Sequence, residues 1–184
     1  MSTYEIARNI LIEIDRVLSR VDEGEVQALC DAILSARCIV IHGLGREGLV
    51  MRGFAMRLMH LGLNAAVVGE MTTPPIGAGD LFLVCCGPGH LATVGALMEI
   101  AQRAGANVAL LTAQAQALLS NQANLVVHLP AQTMAEAEGS SSFQAMGSAF
   151  EQALWILLDA LVPQLQATLR QSAEDMRKRH TNLE

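Results

Sequence analysis

Five short apolar runs that alternate with segments of helical periodicity constrain this chain more than any other feature. The runs cover residues 38–41, 65–68, 81–84, 108–111 and 125–129. Continuous apolar runs of this length predict strands buried on both faces, because a strand with one face in water alternates apolar with polar residues. Helical segments between strands predict parallel crossovers. The sequence therefore predicts an α/β fold, in which a five-stranded parallel sheet is covered by helices on both faces.

Apolar side chains at helical spacing predict six helices, two of which precede the first strand. The predicted helices cover residues 4–18, 25–36, 49–61, 91–104, 115–120 and 143–161. The fifth of these is short, and a polar loop rich in Ser and Glu is expected after Pro130. Pro163 is expected to separate the long last helix from a charged final segment.

The length and composition of the chain indicate one domain. With 184 residues, of which 52% are hydrophobic, the chain has enough apolar material for a single core. We expect one domain over residues 1–184, with two N-terminal helices and a C-terminal helical tail. No apolar stretch approaches the roughly 20 residues of a membrane span, and residues 1–5 lack the pattern of a secretory signal. We therefore expect a soluble cytoplasmic protein without membrane contact.

Charge and cysteine content narrow the classes of ligand. A net charge of −6 and an aromatic content of 3% disfavour nucleic-acid binding, so a small-molecule ligand is expected. The four cysteines are Cys30, Cys38, Cys85 and Cys86. Their spacing fits no metal site, and an adjacent pair cannot easily form an ordinary disulfide, so we predict reduced thiols, no metal and no cofactor. Three histidines in or beside apolar segments are interpreted as core residues: His42, His60 and His128.

Two glycine-rich turns follow predicted strands, at residues 43–48 and 85–90. Backbone amides at strand-to-helix corners hold anions, and parallel sheets bind ligands beyond the carboxyl ends of their strands. The first turn also matches the three-glycine fingerprint of dinucleotide-binding proteins, with Glu70 about 20 residues further on. NAD binding is therefore an alternative to phosphate binding. Against it, two helices precede the supposed first strand.

A wider set of segments resembles the 6-phospho-3-hexuloisomerase family. The matching segments are residues 45–48, 54–62, 68–74, 77–81, 150–151 and 179–184. The resemblance implies a single SIS (sugar isomerase) domain with a flavodoxin-like three-layer α-β-α sandwich, assembled as a homotetramer. It also implies the interconversion of 3-hexulose 6-phosphate and fructose 6-phosphate. Apolar side chains in excess of what one sheet face needs support association between copies: Met51, Phe54, Met56, Met59 and Trp155. Packing within the core is the alternative for the methionines.

The resemblance implies roles for three charged side chains. Glu151 stands at the position of the family's proposed base, which carries a proton between neighbouring carbons through an enediol. His180 matches a tail histidine that reaches the site of a neighbouring subunit and shuttles protons between substrate oxygens. Arg46 is expected to pair with substrate oxygens. The alternatives are a solvated helix glutamate for Glu151, a frayed tail for His180, and a solvated helix start for Arg46.

The phosphate-binding turns depart from the pattern that the resemblance implies. The first turn has Glu47 in place of a serine. The second turn should contain Ser, Ser, Glu and Thr, and has instead Cys86, Pro88, His90 and Leu91. The expected hydroxyls are absent, Glu47 adds a like charge, and Pro88 has no N–H to donate. Phosphate binding is therefore expected to weaken by orders of magnitude unless other groups compensate.

Two changes could offset the lost phosphate contacts, and two hypotheses for the function remain. A protonated His90 would supply a cation, or Arg46 would pair with Glu47 and leave the backbone amides free. In the first hypothesis, the chain is an isomerase that holds the phosphate by main-chain amides. Those amides belong to the turns around Gly45, Gly87 and Gly89. In the second, the chain is a noncatalytic SIS protein, or one with a less anionic ligand, and the missing hydroxyls favour this hypothesis.

Overall fold

The structure, a computed structural model, describes residues 1–134 and 142–183. Most of the polar loop predicted after Pro130 lies outside the described residues. The elements are, in chain order, α1 (Thr3–Leu18), α2 (Glu23–Ser35), β1 (Ile39–His42), α3 (Gly45–His60), β2 (Ala65–Val67), β3 (Leu81–Cys85), α4 (Ala92–Arg103), β4 (Asn107–Thr112), β5 (Leu125–His128), α5 (Ser148–Thr168) and α6 (Ala173–Lys178).

The five strands form one sheet in the order β2-β1-β3-β4-β5, and every neighbouring pair is parallel. This confirms the five-stranded parallel sheet predicted from the apolar runs. From β1 the chain adds β2 on one side and then crosses back to add β3 on the other. The carboxyl ends of β1 and β3 are thus adjacent where the direction of winding reverses, which is the usual position of a ligand crevice in such sheets.

Alternate residues of each strand face two separate apolar cores. On β3, Leu81, Leu83 and Cys85 belong to the core shared with α1, α2, α3 and α5. Phe82 and Val84 belong to the core shared with α4. Apolar burial on both faces is the dominant favourable contribution to folding, and it explains why the strands are apolar without alternation. The result is the predicted three-layer α-β-α sandwich.

The helices nearest the β1 and β3 ends begin differently from the first two helices. The side chains of Ser2 and Asp22 cap α1 and α2 by accepting hydrogen bonds from first-turn amides. Leu44 and Leu91 stand at the corresponding positions of α3 and α4 and provide no side-chain hydrogen bond. The first amides of α3 and α4 are therefore left to acceptors other than a capping side chain.

The predicted short helix at residues 115–120 is wrong, because this segment forms turns. The Ala117 N–H donates to the Gln114 carbonyl at 3.1 Å, and the Ser120 hydroxyl donates to the same carbonyl at 2.7 Å. Leu119 is buried against the α4 side of the sheet. Six residues give one or two helical hydrogen bonds, which do not offset the cost of nucleation, so local turns that bury Leu119 are preferred.

Helix α5 begins and ends later than predicted, and Pro163 lies inside it instead of ending it. The residues before α5 form turns, and Gly147 takes a left-handed conformation with φ of 77° at the helix start. Pro163 removes one backbone hydrogen bond from the helix. The helix continues because Leu161 and Leu165, on either side of the proline, are fully buried in the core.

The charged final segment forms α6 and lies against the far end of α3. Arg179 Nη1 donates to the His60 carbonyl at 2.9 Å, and its guanidinium lies close to Gly62. The tail is thus attached to the body of the chain by a charged donor on a backbone acceptor. Across residues 1–134 and 142–183, no helix has the length and hydropathy required to cross a membrane.

The cysteines are reduced, as predicted, and two of the three histidines interpreted as core residues are buried. All four cysteines are free and buried. His42 and His60 are buried as well. His128 is half-buried, and its Nε2 lies 3.0 Å from the Ala113 carbonyl oxygen.

Candidate active site

The two glycine turns converge at the crevice formed by the ends of β1 and β3. These strands are hydrogen-bonded neighbours, with His42 of β1 in register with Val84 of β3. The turn after β1 leads into α3, and the turn after β3 leads into α4. Strand-to-helix corners on adjacent parallel strands meet at one edge of the sheet, and the sequence-predicted binding residues therefore share one place in the fold.

Close packing and one left-handed residue explain the glycines of the first turn. A Cβ on Gly48 would lie 2.5 Å from the Gly43 carbonyl oxygen, so only glycine lets α3 start directly against the end of β1. Gly45 has φ of 55°, which favours glycine at the first residue of α3. This helix begins four residues before the predicted residue 49. Glu70, the acid of the dinucleotide fingerprint, lies 3.3 Å from Arg52 in an exposed ion pair.

Glu47 reaches from the first turn to the second. Its carboxylate accepts from the Gly87 N–H, with Oε2 at 3.0 Å and Oε1 at 3.2 Å from the nitrogen. The Cys85 thiol donates to Glu47 Oε2 at 3.3 Å. The Gly87 amide, one of those expected to hold a phosphate, thus holds a carboxylate of the chain itself.

The surroundings of Glu47 favour its protonated form more than water does. Burial raises the pKa of Glu47, and the nearby Glu151 carboxylate adds to this, while the hydrogen bonds from Gly87 and Cys85 oppose it. Burial and Glu47 together hold the pKa of the Cys85 thiol well above its usual range. The same causes raise the pKa of Cys86 to about 11. Both thiols therefore remain protonated near neutral pH, and Cys85 acts as a donor.

Two glycine amides of the second turn, those of Gly87 and Gly89, are already bonded within the protein. The Gly89 N–H donates to the Cys86 carbonyl at 2.9 Å, and Pro88 has no N–H. His90 is exposed, and Leu91 is half-buried at the start of α4. Any ligand that uses the Gly87 or Gly89 amide has to replace an acceptor that the chain already provides.

Arg46 pairs with Glu151 and not with Glu47, so one of the two predicted compensations is absent from the structure. Arg46 Nε lies 2.8 Å from Glu151 Oε2, and the side chains are 65% and 13% exposed. Burial raises the pKa of Glu151, and the Arg46 cation opposes that rise. Glu151 lies in the first turn of α5. Because α5 packs beside α3, the proposed base lies next to the first turn and electrostatically close to Glu47.

A groove of about 260 Å³ opens beside the Glu151 carboxylate. Its lining residues come from α3 and α5 and are Arg46, Leu49, Val50, Glu151, Gln152 and Trp155. The atoms Glu151 Oε2 and Gln152 Oε1 are buried, and neither accepts an aligned hydrogen bond from any residue that the structure describes. The close Arg46 contact is therefore an ion pair without hydrogen-bond alignment. Two unfilled acceptors next to a groove suit a ligand that carries hydroxyl donors.

His180 lies at the opposite end of α3 from Glu151 within one copy of the chain. Its ring stacks on that of His60, with centroids 5.2 Å apart and planes inclined by 27°. Helix α3 has 16 residues, which corresponds to about 22 Å between its ends at 1.5 Å per residue. The structure therefore brings Glu151, Arg46, Glu47 and the second turn together, and leaves His180 apart from them in the same copy.

Sequence reasoning missed three contributors to this site. Cys85, predicted only to be a reduced thiol, lies on the face of β3 where Glu47 lies and donates to it. Gln152 and Trp155 line the groove. The spacing of four residues between Glu151 and Trp155, which puts both on one face of a helix, is a signal for Trp155. Among the described residues, no group of three or more His, Cys, Asp or Glu side chains is placed to hold a metal ion.

Comparison with known proteins gives consistent relatives over the full length of the chain. The SIS domain family matches residues 32–156. A 3-hexulose-6-phosphate isomerase of Bacillus subtilis is 36% identical over 185 residues and covers 100% of both chains. The 3-hexulose-6-phosphate isomerase of Mycobacterium gastri is 38% identical over 183 residues, covering 98% of this chain and 92% of the relative.

A solved structure agrees with these relatives. The crystal structure of a hypothetical protein of Methanococcus jannaschii has a TM-score of 0.83 and 29% identity, and each chain covers 100% of the other. The function inferred for that protein from its structure is 3-hexulose-6-phosphate isomerase. The resemblance seen in the sequence motifs is thereby confirmed. The chain belongs to the SIS domain family and, within it, to the family of 3-hexulose-6-phosphate isomerases, also called 6-phospho-3-hexuloisomerases.

Proposed function

We propose that this chain is a sugar-phosphate isomerase that interconverts 3-hexulose 6-phosphate and fructose 6-phosphate. The observation that carries the proposal is the largely buried Glu151 carboxylate, paired with Arg46 beside the crevice at the two glycine turns. The full-length relatives named as 3-hexulose-6-phosphate isomerases support the choice of substrate.

Glu151 is proposed as the single base of the reaction. It removes the proton from C2 of 3-hexulose 6-phosphate, which gives a 2,3-enediol, and returns a proton to C3 to form fructose 6-phosphate. The hydroxyl proton moves from O2 to O3, and no oxidant or second substrate is needed. Burial that raises the pKa of Glu151 brings the carboxylate closer to the working pH, where a base is most effective.

Arg46 is proposed to have two functions in this site. In the free protein its guanidinium favours the ionised form of Glu151, since it opposes the effect of burial on the carboxylate pKa. Because Arg46 is 65% exposed, it is also accessible to the oxygens of a bound sugar and to the negative charge that develops on the enediol.

A homotetramer in which the tail of one copy completes the site of another is proposed for the assembly. His180 lies too far from Glu151 in its own copy to act on the same substrate, so its role as a proton shuttle requires a neighbouring subunit. Met56, Met59 and Trp155 have 39% to 46% of their surface exposed, which supports an association through α3 and α5. Met51 and Phe54 are buried in the core and do not contribute to such a surface.

We propose that the enzyme acts in the cytoplasm on a small-molecule sugar phosphate and does not bind nucleic acid. The net charge of −6 supports this, since nucleic-acid binding proteins neutralise phosphates with an excess of Lys and Arg.

Exchange of carbon-bound hydrogen tests the proposed reaction directly. Fructose 6-phosphate incubated with the protein in D₂O is expected to lose the proton NMR signal of C3–H, because the reverse reaction forms the enediol and solvent deuterium returns to carbon. A protein that binds fructose 6-phosphate but leaves this signal intact at high protein concentration contradicts the proposal.

A noncatalytic sugar-binding function is the second candidate, and one contact favours it. The Gly87 amide, which is expected to bind the phosphate of an isomerase substrate, donates instead to the Glu47 carboxylate. In this case the exchange experiment gives binding without deuterium incorporation. The two candidates are thus distinguished by one measurement.

Substitution of Arg46 by glutamine is expected to move the acidic limb of the kcat profile to higher pH. Arg46 lowers the pKa of Glu151, so its loss raises that pKa, and a base that must be ionised then becomes active only at higher pH. Arg46→Lys keeps the positive charge and serves as the matched control, with a smaller displacement of the limb. Identical pH profiles for Arg46→Gln and the native enzyme would show that Glu151 is not the titrating base.

A further inference from the structure

The Glu47 carboxylate has the contacts that an anionic ligand would make at the second turn. Both of its oxygens lie within 3.2 Å of the Gly87 nitrogen, and Oε2 also accepts from the Cys85 thiol. Glu47 thus provides the acceptor for the buried Gly87 N–H when no ligand is bound.

Gly87 is tightly packed, and its one N–H is already bonded to Glu47. A Cβ on Gly87 would lie 2.6 Å from Glu47 Oε1 and 2.9 Å from the ring of Phe150. Phe150 is fully buried, and Gly87 is buried as well. A phosphate can therefore reach the Gly87 amide only after the Glu47 side chain has left it.

The charges that face Glu47 make its coexistence with a phosphate unfavourable. From α5 it faces Glu151, from the end of β3 the protonated thiol of Cys85, and from the second turn that of Cys86. Its neighbour on α3, Arg46, is paired with Glu151. No cationic side chain within the described residues lies within ion-pair distance of Glu47. A second negative charge at this corner is therefore not neutralised by the protein.

We propose that Glu47 is an internal occupant of the phosphate site, and that binding of the phosphorylated sugar displaces its side chain with uptake of one proton. This inference rests on the proposed function, because it takes a sugar phosphate as the ligand. A displaced but charged Glu47 would remain beside the phosphate, and protonation removes that repulsion. The phosphate charge beside the displaced Glu47 carboxylate favours the protonated form and raises its pKa. Affinity therefore decreases as pH rises, and Glu47 determines how selectively the site accepts dianionic ligands.

Titration calorimetry with fructose 6-phosphate tests the proposal between about pH 6 and pH 9, over which a phosphate ester becomes fully dianionic. Each titration is run in two buffers of different ionisation enthalpy, so that the protons taken up are counted. Glu47→Ser, which places a hydroxyl at this position, is expected to bind about ten- to a hundredfold more tightly at the alkaline end. It is also expected to take up fewer protons than the native protein. Glu47→Gln keeps an acceptor near Gly87 without the charge, and is expected to lose the excess proton uptake.

The control is Glu99→Gln, which removes the same formal charge from an exposed position of α4, where Glu99 pairs only loosely with Arg103 at 3.8 Å. Its affinity and proton uptake should equal those of the native protein. Equal affinities and equal proton uptake in native protein, Glu47→Ser and Glu47→Gln overturn the inference, and so does a failure of every correctly folded variant to bind fructose 6-phosphate. Failure of the proposed function appears differently, as Glu47-dependent binding with no C3–H exchange.

Discussion

Glutamine in place of Glu151 is expected to reduce kcat for fructose 6-phosphate formation by about 100- to 10,000-fold, the usual contribution of a positioned general base. The amide has nearly the same shape as the carboxylate but cannot take up the C2 proton. The Arg46 contact loses its charge partner, but the neutral amide fills the same space as the carboxylate, so the fold is expected to persist. A coupled assay that follows fructose 6-phosphate, with circular dichroism to check folding, measures the effect.

The adjacent Gln152 offers a matched control for this experiment. Gln152→Ala removes a groove-lining amide without removing the proposed base, and we expect a change in KM larger than the change in kcat. If Glu151→Gln retains full turnover while remaining folded, the base is another residue and the proposed mechanism is wrong.

Alanine in place of Gly48 is expected to destabilise the protein by about 1 to 3 kcal/mol or more, as overpacking of a closely packed interior does. The new Cβ would lie 2.5 Å from the Gly43 carbonyl oxygen and 2.9 Å from its carbon. These are backbone atoms, so relief requires α3 to move away from the end of β1. Because α3 carries Arg46 and Glu47, isomerase activity should fall as well. Urea unfolding gives the change in the free energy of unfolding.

Gly77→Ala is the corresponding control at a glycine without this constraint. A Cβ at Gly77 would lie 3.7 Å from the Ala104 carbonyl oxygen, which is an ordinary van der Waals contact. We expect a change of less than about 0.5 kcal/mol, as at most unconstrained positions. A Gly48→Ala protein as stable and active as Gly77→Ala would show that the close approach of α3 to β1 is not required.

The sheet could be predicted from the sequence because each strand is apolar on both faces and ends at a turn. Such runs have few alternatives to a buried parallel strand. Each end of every observed strand lies within one residue of the predicted end. Helix ends were less predictable, since they depend on tertiary contacts. Helix α5 continues through Pro163 because buried leucines on both sides of the proline hold the helix against the core. The expectation that proline ends a helix considers only the local backbone and not this tertiary packing.

The location of the candidate site was predictable, whereas its internal contacts were not. Topology alone brings the turns after β1 and β3 together, and both turns are recognisable by their glycines. The sequence also indicated that Glu47 is incompatible with a simple phosphate site. It could not indicate that Glu47 turns towards Gly87 while Arg46 turns towards Glu151, because that choice depends on side-chain directions across three elements. The distance of His180 from Glu151 likewise depends on where the tail packs.

The outermost strands of the sheet have a consequence for how copies of this protein avoid aggregation. Strand β2 has three residues and β5 has four, so each edge presents few free backbone donors and acceptors to a foreign strand. Short edges of this kind hinder the strand-to-strand pairing that leads to amyloid-like fibres. Ordered contacts between copies are thereby left to the side chains of the helices.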